Sequence, residues 1–204
     1  MKILSGPFAP TAAAVLLMFT ASPAFAGPPT DQLRSRVDKV STVLEDPALR
    51  GDDKAVQRRA EIRKVADDIF DFGEMAKRSL GRHWDERTAT ERAEFVSLFT
   101  DLLRRAYYSK IEKATFDKIL FRGEKQQGDD ALVRTLVVLP HGEQMNLDYA
   151  LILVGERWKV YDLRIEGISL VSNYRSQFSR IIRTTSYEEL VAKLKSNQTA
   201  FSAP

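Results

Sequence analysis

The spacing of the apolar residues changes near Phe116, and this change constrains the fold more than any other feature of the sequence. Before Phe116, apolar residues recur every three to four positions, which is typical of amphipathic helices. After it, four stretches alternate between apolar and polar residues, which is typical of half-buried strands. Because the links between these stretches (QQGDD, HG and GER) are short, neighbouring strands should run antiparallel. We therefore expect an α+β fold, with an antiparallel sheet of about four strands packed against several α-helices.

The short links also predict a register for the strands. A three-residue turn at 155–157 would place Val154 opposite Trp158, Ala150 opposite Asp162, and Asp148 opposite the oppositely charged Arg164. A two-residue turn at 141–142 would align the preceding strand with the same face. That face should then be almost wholly apolar, with Leu132, Leu136, Val138, Met145, Leu147, Tyr149, Leu151, Leu153, Tyr161, Leu163 and Ile165.

Capping residues mark where the predicted helices begin. The first helix should start at Thr30 or Asp31, and a second should run over about 54–70. Later helices should follow the caps Asp71, Thr88, Ser169 and Ser186; Thr88 with Glu91 and Ser186 with Glu189 each form a capping box. Two of these helices carry long apolar stripes, formed by Phe95, Phe99, Leu102, Leu103, Ala106, Tyr107 and Ile111, and by Leu170, Val171, Tyr174, Phe178, Ile181 and Ile182. The second stripe is expected to pack over the apolar sheet face.

Residues 1–26 have the pattern of a secretory signal peptide. Lys2 is followed by the apolar run AAAVLLMF and by a small-x-small cleavage signal at Ala24-Phe25-Ala26. We expect cleavage after Ala26, which leaves residues 27–200 as a single exported domain. The chain has no cysteine, so this domain should be stabilised by packing and not by disulfides.

The sequence contains little that points to catalysis or to nucleic-acid binding. The net charge of +3 is dispersed among acidic residues and forms no basic stripe. The two histidines, His83 and His141, are isolated from other residues at metal-ligand spacing, so no metal site is expected. Asp162 could be a general base with a pKa raised by burial, but a buried hydrogen-bond acceptor is the favoured interpretation. Arg175 could bind an anionic headgroup or lie on the solvated flank of its helix.

Three segments resemble a known family in their order and spacing. FDFGEMAKRSLGRHW, FVSLFTDLLRRAYYSKI and GERWKVYDLRIEGISLVSNYRSQFSRII are similar to segments of the periplasmic phospholipid-binding proteins of the toluene-tolerance family. This family includes the soluble lipid shuttle of the Mla lipid-asymmetry pathway. The resemblance extends over about 31–194.

The resemblance implies a curved sheet and surrounding helices that enclose an apolar lipid pocket, with the headgroup at its mouth. It implies a periplasmic carrier without enzymatic activity or a cofactor, whose cargo is a phospholipid. Its partners would be an outer-membrane lipoprotein complex and an inner-membrane ABC transporter with a periplasmic lipid-binding subunit. The lipid-binding residues implied are Phe72, Met75, Phe99, Leu103, Tyr107, Leu136, Leu147, Tyr149, Leu151, Tyr161, Leu163, Tyr174 and Phe178, with Arg175 as the candidate for the headgroup. Two alternatives stay open: a carrier of another membrane lipid such as a hopanoid, and a cone-shaped isomerase-like enzyme with Asp162 as its base.

Overall fold

The computed structural model describes residues 27–112, 116–196 and 201. The predicted signal peptide, 1–26, lies outside the described residues. Within the described ranges, no helix combines the length and the apolar character that crossing a bilayer requires.

The helices begin close to where their capping residues predict. Asp71 Oδ1 accepts a hydrogen bond from the Glu74 N–H at 2.8 Å, and Thr88 and Glu91 close their capping box in both directions. Ser169 and Ser186 cap the last two helices in the same way. The helices described are α1 Pro28–Glu45, α2 Ala55–Ile69, α3 Phe72–Leu80, α4 Ala89–Glu112, α5 Leu170–Thr184 and α6 Tyr187–Lys195.

The start of α1 differs from the prediction. The helix begins at Pro28, with Gly27 as the N-cap residue, so Thr30 lies inside the first turn. Proline is favoured in the first turn because its missing N–H is not needed there. The Thr30 N–H, one of the unpaired donors of this turn, donates to Glu124 Oε2 at 2.8 Å. A side chain from the sheet therefore replaces the predicted cap.

The strands form one antiparallel sheet in which neighbours along the chain are neighbours in space. The predicted antiparallel order is confirmed, although the sheet has five strands because a two-residue strand precedes α5. Bulges in β1 and β4 interrupt the ladder and bend the strands. The strands are β1 Lys118–Gln127, β2 Asp130–Val138, β3 Gln144–Val154, β4 Arg157–Ile165 and β5 Ile168–Ser169.

The predicted turn between β3 and β4 is wrong by one residue. Val154 pairs with Arg157, so the turn has two residues and Trp158 faces Leu153. A bulge then leaves Tyr161 without a partner on β3, and beyond it Ala150 pairs with Asp162 as predicted. The predicted pairing is therefore correct beyond the bulge and incorrect between the bulge and the turn.

The side chains of β2 also point to the opposite faces of the sheet from those predicted. Val138 pairs with Gln144, because the connection is a five-residue loop in which His141 adopts a φ of 73°. The apolar face that contains Tyr149 and Leu151 consequently carries Ala131, Val133, Thr135 and Val137. The other face carries Leu132, Leu136 and Val138, the set predicted to join Tyr149 and Leu151.

Most of the buried apolar residues that the structure describes form two clusters. The sheet cluster joins α1 and the end of α2 to the apolar face of β2, β3 and β4; its members are Leu33, Val37, Ile69, Ala131, Val133, Tyr149, Leu151, Trp158 and Val160. The helical cluster joins α3, α4, α5 and α6; its members are Met75, Ala76, Leu80, Phe95, Phe99, Leu103, Leu170, Val171, Tyr174, Phe178, Tyr187, Leu190, Val191 and Leu194. Phe70 and Leu163 are partly buried and pack against both clusters.

Candidate functional site

The structure divides the predicted lipid-binding residues between the two clusters. Met75, Phe99, Leu103, Tyr174 and Phe178 are buried members of the helical cluster, and Phe72, Tyr107, Tyr161 and Leu163 pack against it. Tyr149 and Leu151 are buried members of the sheet cluster, and Leu147 packs against it. Leu136 is buried on the opposite face of the sheet from Tyr149 and Leu151. The predicted residues therefore lie in two separate clusters, and Leu136 belongs to neither.

The two clusters meet where the link between α2 and α3 crosses β4. Phe70 forms a parallel bridge with Val160, and the Asp71 N–H donates to the Val160 carbonyl at 2.9 Å. Phe70 and Leu163 pack against both clusters while staying partly buried. An apolar ligand could contact both clusters at this junction. The position of Phe70 between the two clusters was not predicted from the sequence, although Phe70 is the last residue of the apolar repeat in the predicted second helix.

Packing around α4 becomes looser toward its carboxyl end. Phe95 and Phe99 are fully buried and Leu103 is 6% exposed, whereas Tyr107 is only partly buried. The Tyr107 hydroxyl is nevertheless shielded from solvent and has no hydrogen-bond partner among the described residues. Burial raises the pKa of Tyr107 well above its usual value, and the neighbouring Tyr174 adds to the rise. This end of α4 therefore places a polar group against the helical cluster.

Asp162 is a buried acceptor at the start of α5. Its Oδ2 accepts from the Ser169 hydroxyl at 2.6 Å, and its Oδ1 accepts from the Val171 N–H at 2.9 Å. Ser169 in turn accepts from the Ser172 N–H at 3.0 Å. The bulge at Tyr161 places Val160 on the opposite face of the sheet from Asp162. The carboxylate is thus a buried hydrogen-bond acceptor, as the favoured interpretation predicted, and it also supports the cap of α5.

Arg175 connects α5 to α3. Its Nε donates to the Arg78 carbonyl at 2.7 Å, which satisfies one of the open carbonyl groups near the end of α3. The Arg78 guanidinium lies over the ring of Tyr161, 3.8 Å from its centroid, and Arg78 Nε donates to Glu74 at 2.7 Å. Contact between Arg175 and a headgroup stays a prediction.

A polar groove of about 440 Å³ lies between α1, the end of α2 and β4. Within it, Arg36 donates to Asp68 at 3.0 Å and to the Trp158 carbonyl at 3.1 Å. Since charged groups line this groove, it does not suit acyl chains. None of the predicted lipid-binding residues contributes to its lining, which comprises Asp31, Gln32, Ser35, Arg36, Lys39, Asp68 and Arg157.

We expect the protein to lose stability in acid, because protonation of Asp68 removes its ion pairs. Burial alone would raise the pKa of Asp68, but the hydrogen bond and charge of Arg36 and the charges of Lys159 and Arg157 outweigh it and lower the pKa. A carboxyl group whose pKa is lower in the folded state stabilises the fold at pH values above its unfolded-state pKa of 3.8. This stabilisation is lost as the pH falls through the folded-state pKa. Because the side chain is 35% exposed, the effect should be at most about 1 kcal/mol.

This prediction is checked by urea unfolding of Asp68→Asn from pH 7 to pH 2. The variant should be less stable than the parent at neutral pH, and the difference should disappear at low pH. Asp38→Asn is a suitable control, since Asp38 forms no ion pair within the described ranges. A difference that persists unchanged at pH 2 would contradict the electrostatic origin.

No cluster of metal-ligating side chains is present among the residues that the structure describes. His83 is buried, with Nδ1 3.5 Å from Glu86 Oε2. His141 lies in the loop between β2 and β3. The two histidines therefore lie in separate parts of the fold.

The fold and sequence match known lipid-binding proteins. Among solved structures, a phospholipid-binding protein from Ralstonia solanacearum in complex with a phospholipid aligns with a TM-score of 0.71 and 27% identity, over 81% of this chain and 94% of that one. The intermembrane phospholipid transport system binding protein MlaC of Haemophilus influenzae is 24% identical over 121 residues. That alignment covers 57% of this chain and 56% of the relative, little more than half of its length. The sequence model of the MlaC protein family matches residues 34–196. This chain therefore belongs to the MlaC protein family.

Proposed function

We propose that this protein binds a diacyl phospholipid and carries it between the outer and inner membranes. The acyl chains would enter a hydrophobic pocket where the sheet cluster and the helical cluster meet, beside Phe70 and Leu163. The observation that carries the proposal is the alignment over 94% of the length of a protein whose structure was determined with a phospholipid bound. The apolar residues at the junction supply a suitable surface for such a ligand.

The energy of acyl-chain burial favours a carrier over free diffusion. Two acyl chains contain roughly thirty methylenes, and sheltering each from water contributes about 0.8 kcal/mol, a gross gain of more than about 20 kcal/mol. Escape of the lipid into water would therefore be very slow. Release requires a partner whose docking lowers the affinity of the protein for the lipid.

The proposed partners and location follow from the family. Lipid would be exchanged with an outer-membrane lipoprotein complex and with an inner-membrane ABC transporter that has a periplasmic lipid-binding subunit. Both exchanges require export to the periplasm, in accord with the predicted signal peptide at 1–26 and a single mature domain at 27–200.

We assign no catalytic role to the protein. The isomerase alternative needs a carboxylate that is free to take a proton from a substrate. Both oxygens of Asp162 instead accept hydrogen bonds from Ser169 and Val171. This arrangement makes Asp162 a structural acceptor and argues against its use as a general base. A hopanoid is distinguished from a phospholipid by the composition of the bound lipid.

We expect purified mature protein to contain phospholipid at about one molecule per chain. A charge at the junction should remove it, because an ionised group buried against acyl chains is strongly unfavourable. The variant to test is Leu163→Asp, and the matched control is Val154→Asp, on the neighbouring strand, where the side chain is 50% exposed. The measurement is mass spectrometry of organic extracts, with circular dichroism to verify folding.

Leu163→Asp should lose most of its phospholipid, whereas Val154→Asp should retain the parental amount. Equal phospholipid content in the two variants would place the acyl chains elsewhere. An extract of the parent protein without any lipid, together with failure to take up phospholipid from vesicles, would overturn the proposed function.

A further inference from the structure

Three hydrogen-bond donors without partners lie together on α4. They are Arg104 Nε and the hydroxyls of Tyr107 and Tyr108, all shielded from solvent and without a hydrogen bond of normal geometry within the part of the chain that the structure describes. The Tyr108 side chain lies beside Arg104 and the Tyr107 side chain beside Tyr174, but neither contact has the geometry of a hydrogen bond. Residues three and four positions apart are neighbours on a helix surface, so both tyrosines follow Arg104 on one face. Buried polar groups are nearly always hydrogen-bonded, and three exceptions within two helical turns require an explanation.

Arg104 is held in place by its other nitrogens. Its Nη2 donates to Asp67 Oδ1 at 2.9 Å, and its Nη1 lies 3.6 Å from Asp101. Burial tends to lower the pKa of Arg104, but Asp67 and Tyr108 raise it, so the guanidinium stays charged. The side chain is therefore fixed with Nε still available.

The surroundings of the three donors are apolar on one side. The Arg104 guanidinium lies 5.8 Å from the ring centroid of Phe72, and Tyr107 packs against the helical cluster beside Tyr174. Burial keeps the pKa of Tyr107 high, so its hydroxyl retains its proton and can donate. A ligand that satisfies these donors must bring acceptor atoms attached to an apolar body.

We propose that Tyr107 and Tyr108 donate hydrogen bonds to the acyl-ester carbonyls of the bound phospholipid, and that Arg104 Nε donates to its phosphate. The inference rests on the proposed function and identifies the residues that recognise the glycerol region of the lipid. Ester carbonyls accept hydrogen bonds and donate none, and they lie between the acyl chains and the phosphate. Tyr107 packs against the helical cluster, which would contact the acyl chains, and Arg104 supplies a cation for the anionic group.

The test compares diester phosphatidylglycerol with a diether analogue that has the same chains and headgroup but no carbonyl oxygens. Each neutral hydrogen bond contributes about 1 kcal/mol, so the two tyrosines together should favour the diester lipid about tenfold or more. In Tyr107→Phe/Tyr108→Phe this preference should fall to about one. The readout is the ratio of the two dissociation constants, measured with delipidated protein and lipids supplied in vesicles.

A second readout separates lipid recognition from a structural role. Removing a buried hydroxyl that has no partner should maintain or raise the thermal stability of the lipid-free protein. The matched control is Tyr187→Phe, because the Tyr187 hydroxyl already donates to the Glu91 carbonyl at 3.3 Å. That variant should lose thermal stability and keep the preference for the diester lipid.

The role of Arg104 is tested with Arg104→Gln and a lipid that lacks phosphate. The parent should bind phosphatidylglycerol more tightly than diacylglycerol with the same chains, and the variant should lose most of this preference. Inorganic phosphate alone should neither bind nor displace the lipid. If phosphate binds by itself, the arginine is a site for free phosphate and its assignment to the lipid is wrong.

The outcomes distinguish this inference from the proposed function. Tight binding of both the diester and the diether lipid with equal affinity, unchanged by the tyrosine substitutions, would overturn the inference and leave the carrier function intact. If the parent binds neither lipid, both the function and the inference are wrong. A lower thermal stability of the double tyrosine variant, with an unchanged lipid preference, would assign the hydroxyls a structural role.

Discussion

Replacing Phe178 by alanine is expected to reduce the free energy of unfolding by about 4 kcal/mol, the middle of the range for a buried phenylalanine. Phe178 is 0% exposed at the centre of the helical cluster. Its ring meets Phe95 and Phe99 edge to face, each at 5.7 Å, and stacks with Tyr174 at 5.6 Å. Aromatic pairs of this kind add about 0.5–1.5 kcal/mol to the effect of burial. Alanine removes all of these contacts at once and leaves a cavity.

Chemical denaturation of the lipid-free protein measures this effect. Phe178→Leu should cost clearly less than Phe178→Ala, because leucine fills much of the same volume. Val56→Ala is the negative control, since Val56 is 80% exposed and its truncation should change the free energy of unfolding by less than about 0.5 kcal/mol. A loss below about 1 kcal/mol for Phe178→Ala would mean that the ring contributes little to the packing of the helical cluster.

The packing of Phe178 also bears on its predicted contact with lipid. Four other aromatic rings of the described residues surround Phe178, so its ring supports the wall of a pocket and offers little surface to a ligand. Leu163 and Tyr107 are only partly buried, so they offer more surface to a ligand. We therefore expect substitutions at Phe178 to act mainly through stability and substitutions at Leu163 mainly through lipid content.

The sequence predicted most helix starts well, because the residues that determine a helix start lie close to it in the chain. A capping residue and an apolar repeat act within a few positions of each other, and Asp71, Thr88, Ser169 and Ser186 all accept the hydrogen bonds expected of them. The exception is α1, whose first turn is completed by a side chain from β1, 94 residues away. No nearby residue indicates that contact.

The register of the sheet was harder to predict because turn length and bulges are weakly encoded. The pairing of Asp148 with Arg164 was predicted correctly, since opposite charges on facing strands stabilise each other. Between β2 and β3 the prediction assumed a two-residue turn, whereas the loop has five residues and His141 takes a left-handed conformation. Because side chains alternate along a strand, an error of one residue in the predicted pairing of β2 with β3 assigned Leu136 to the wrong face of the sheet.

The candidate site was predictable to the extent that it is apolar. Alternation and helical stripes identify residues that face the interior, and Phe99, Tyr149 and Tyr174 are indeed buried. The same patterns cannot separate residues that fill a core from residues that touch a ligand. They also overlooked Arg104 and Tyr108, whose proposed contacts with lipid are inferred from donors that lack hydrogen bonds among the described residues. Such an absence becomes visible only when the atoms surrounding a donor are known.

Replacing Asp162 by alanine is expected to lower the free energy of unfolding by about 3 kcal/mol, because two buried donors would lose a charged acceptor. The side chain is 6% exposed, and its carboxylate holds the Ser169 hydroxyl and the Val171 N–H where α5 leaves the sheet. Asp162→Asn keeps one acceptor oxygen and should cost clearly less. Ser169→Ala removes the helix cap together with the hydrogen bond to Asp162 Oδ2, and it should cost about 1–2 kcal/mol.

Urea unfolding of Asp162→Ala, Asp162→Asn and Ser169→Ala separates the structural role of this carboxylate from a catalytic one. A structural acceptor predicts a graded loss of stability, largest for alanine, and an asparagine variant that still retains phospholipid. A general base predicts the opposite, since ionisable groups at catalytic sites are commonly held at a cost in stability that their removal relieves. An Asp162→Ala protein as stable as the parent would therefore remove the basis for treating this residue as a helix cap and would reopen the enzymatic alternative.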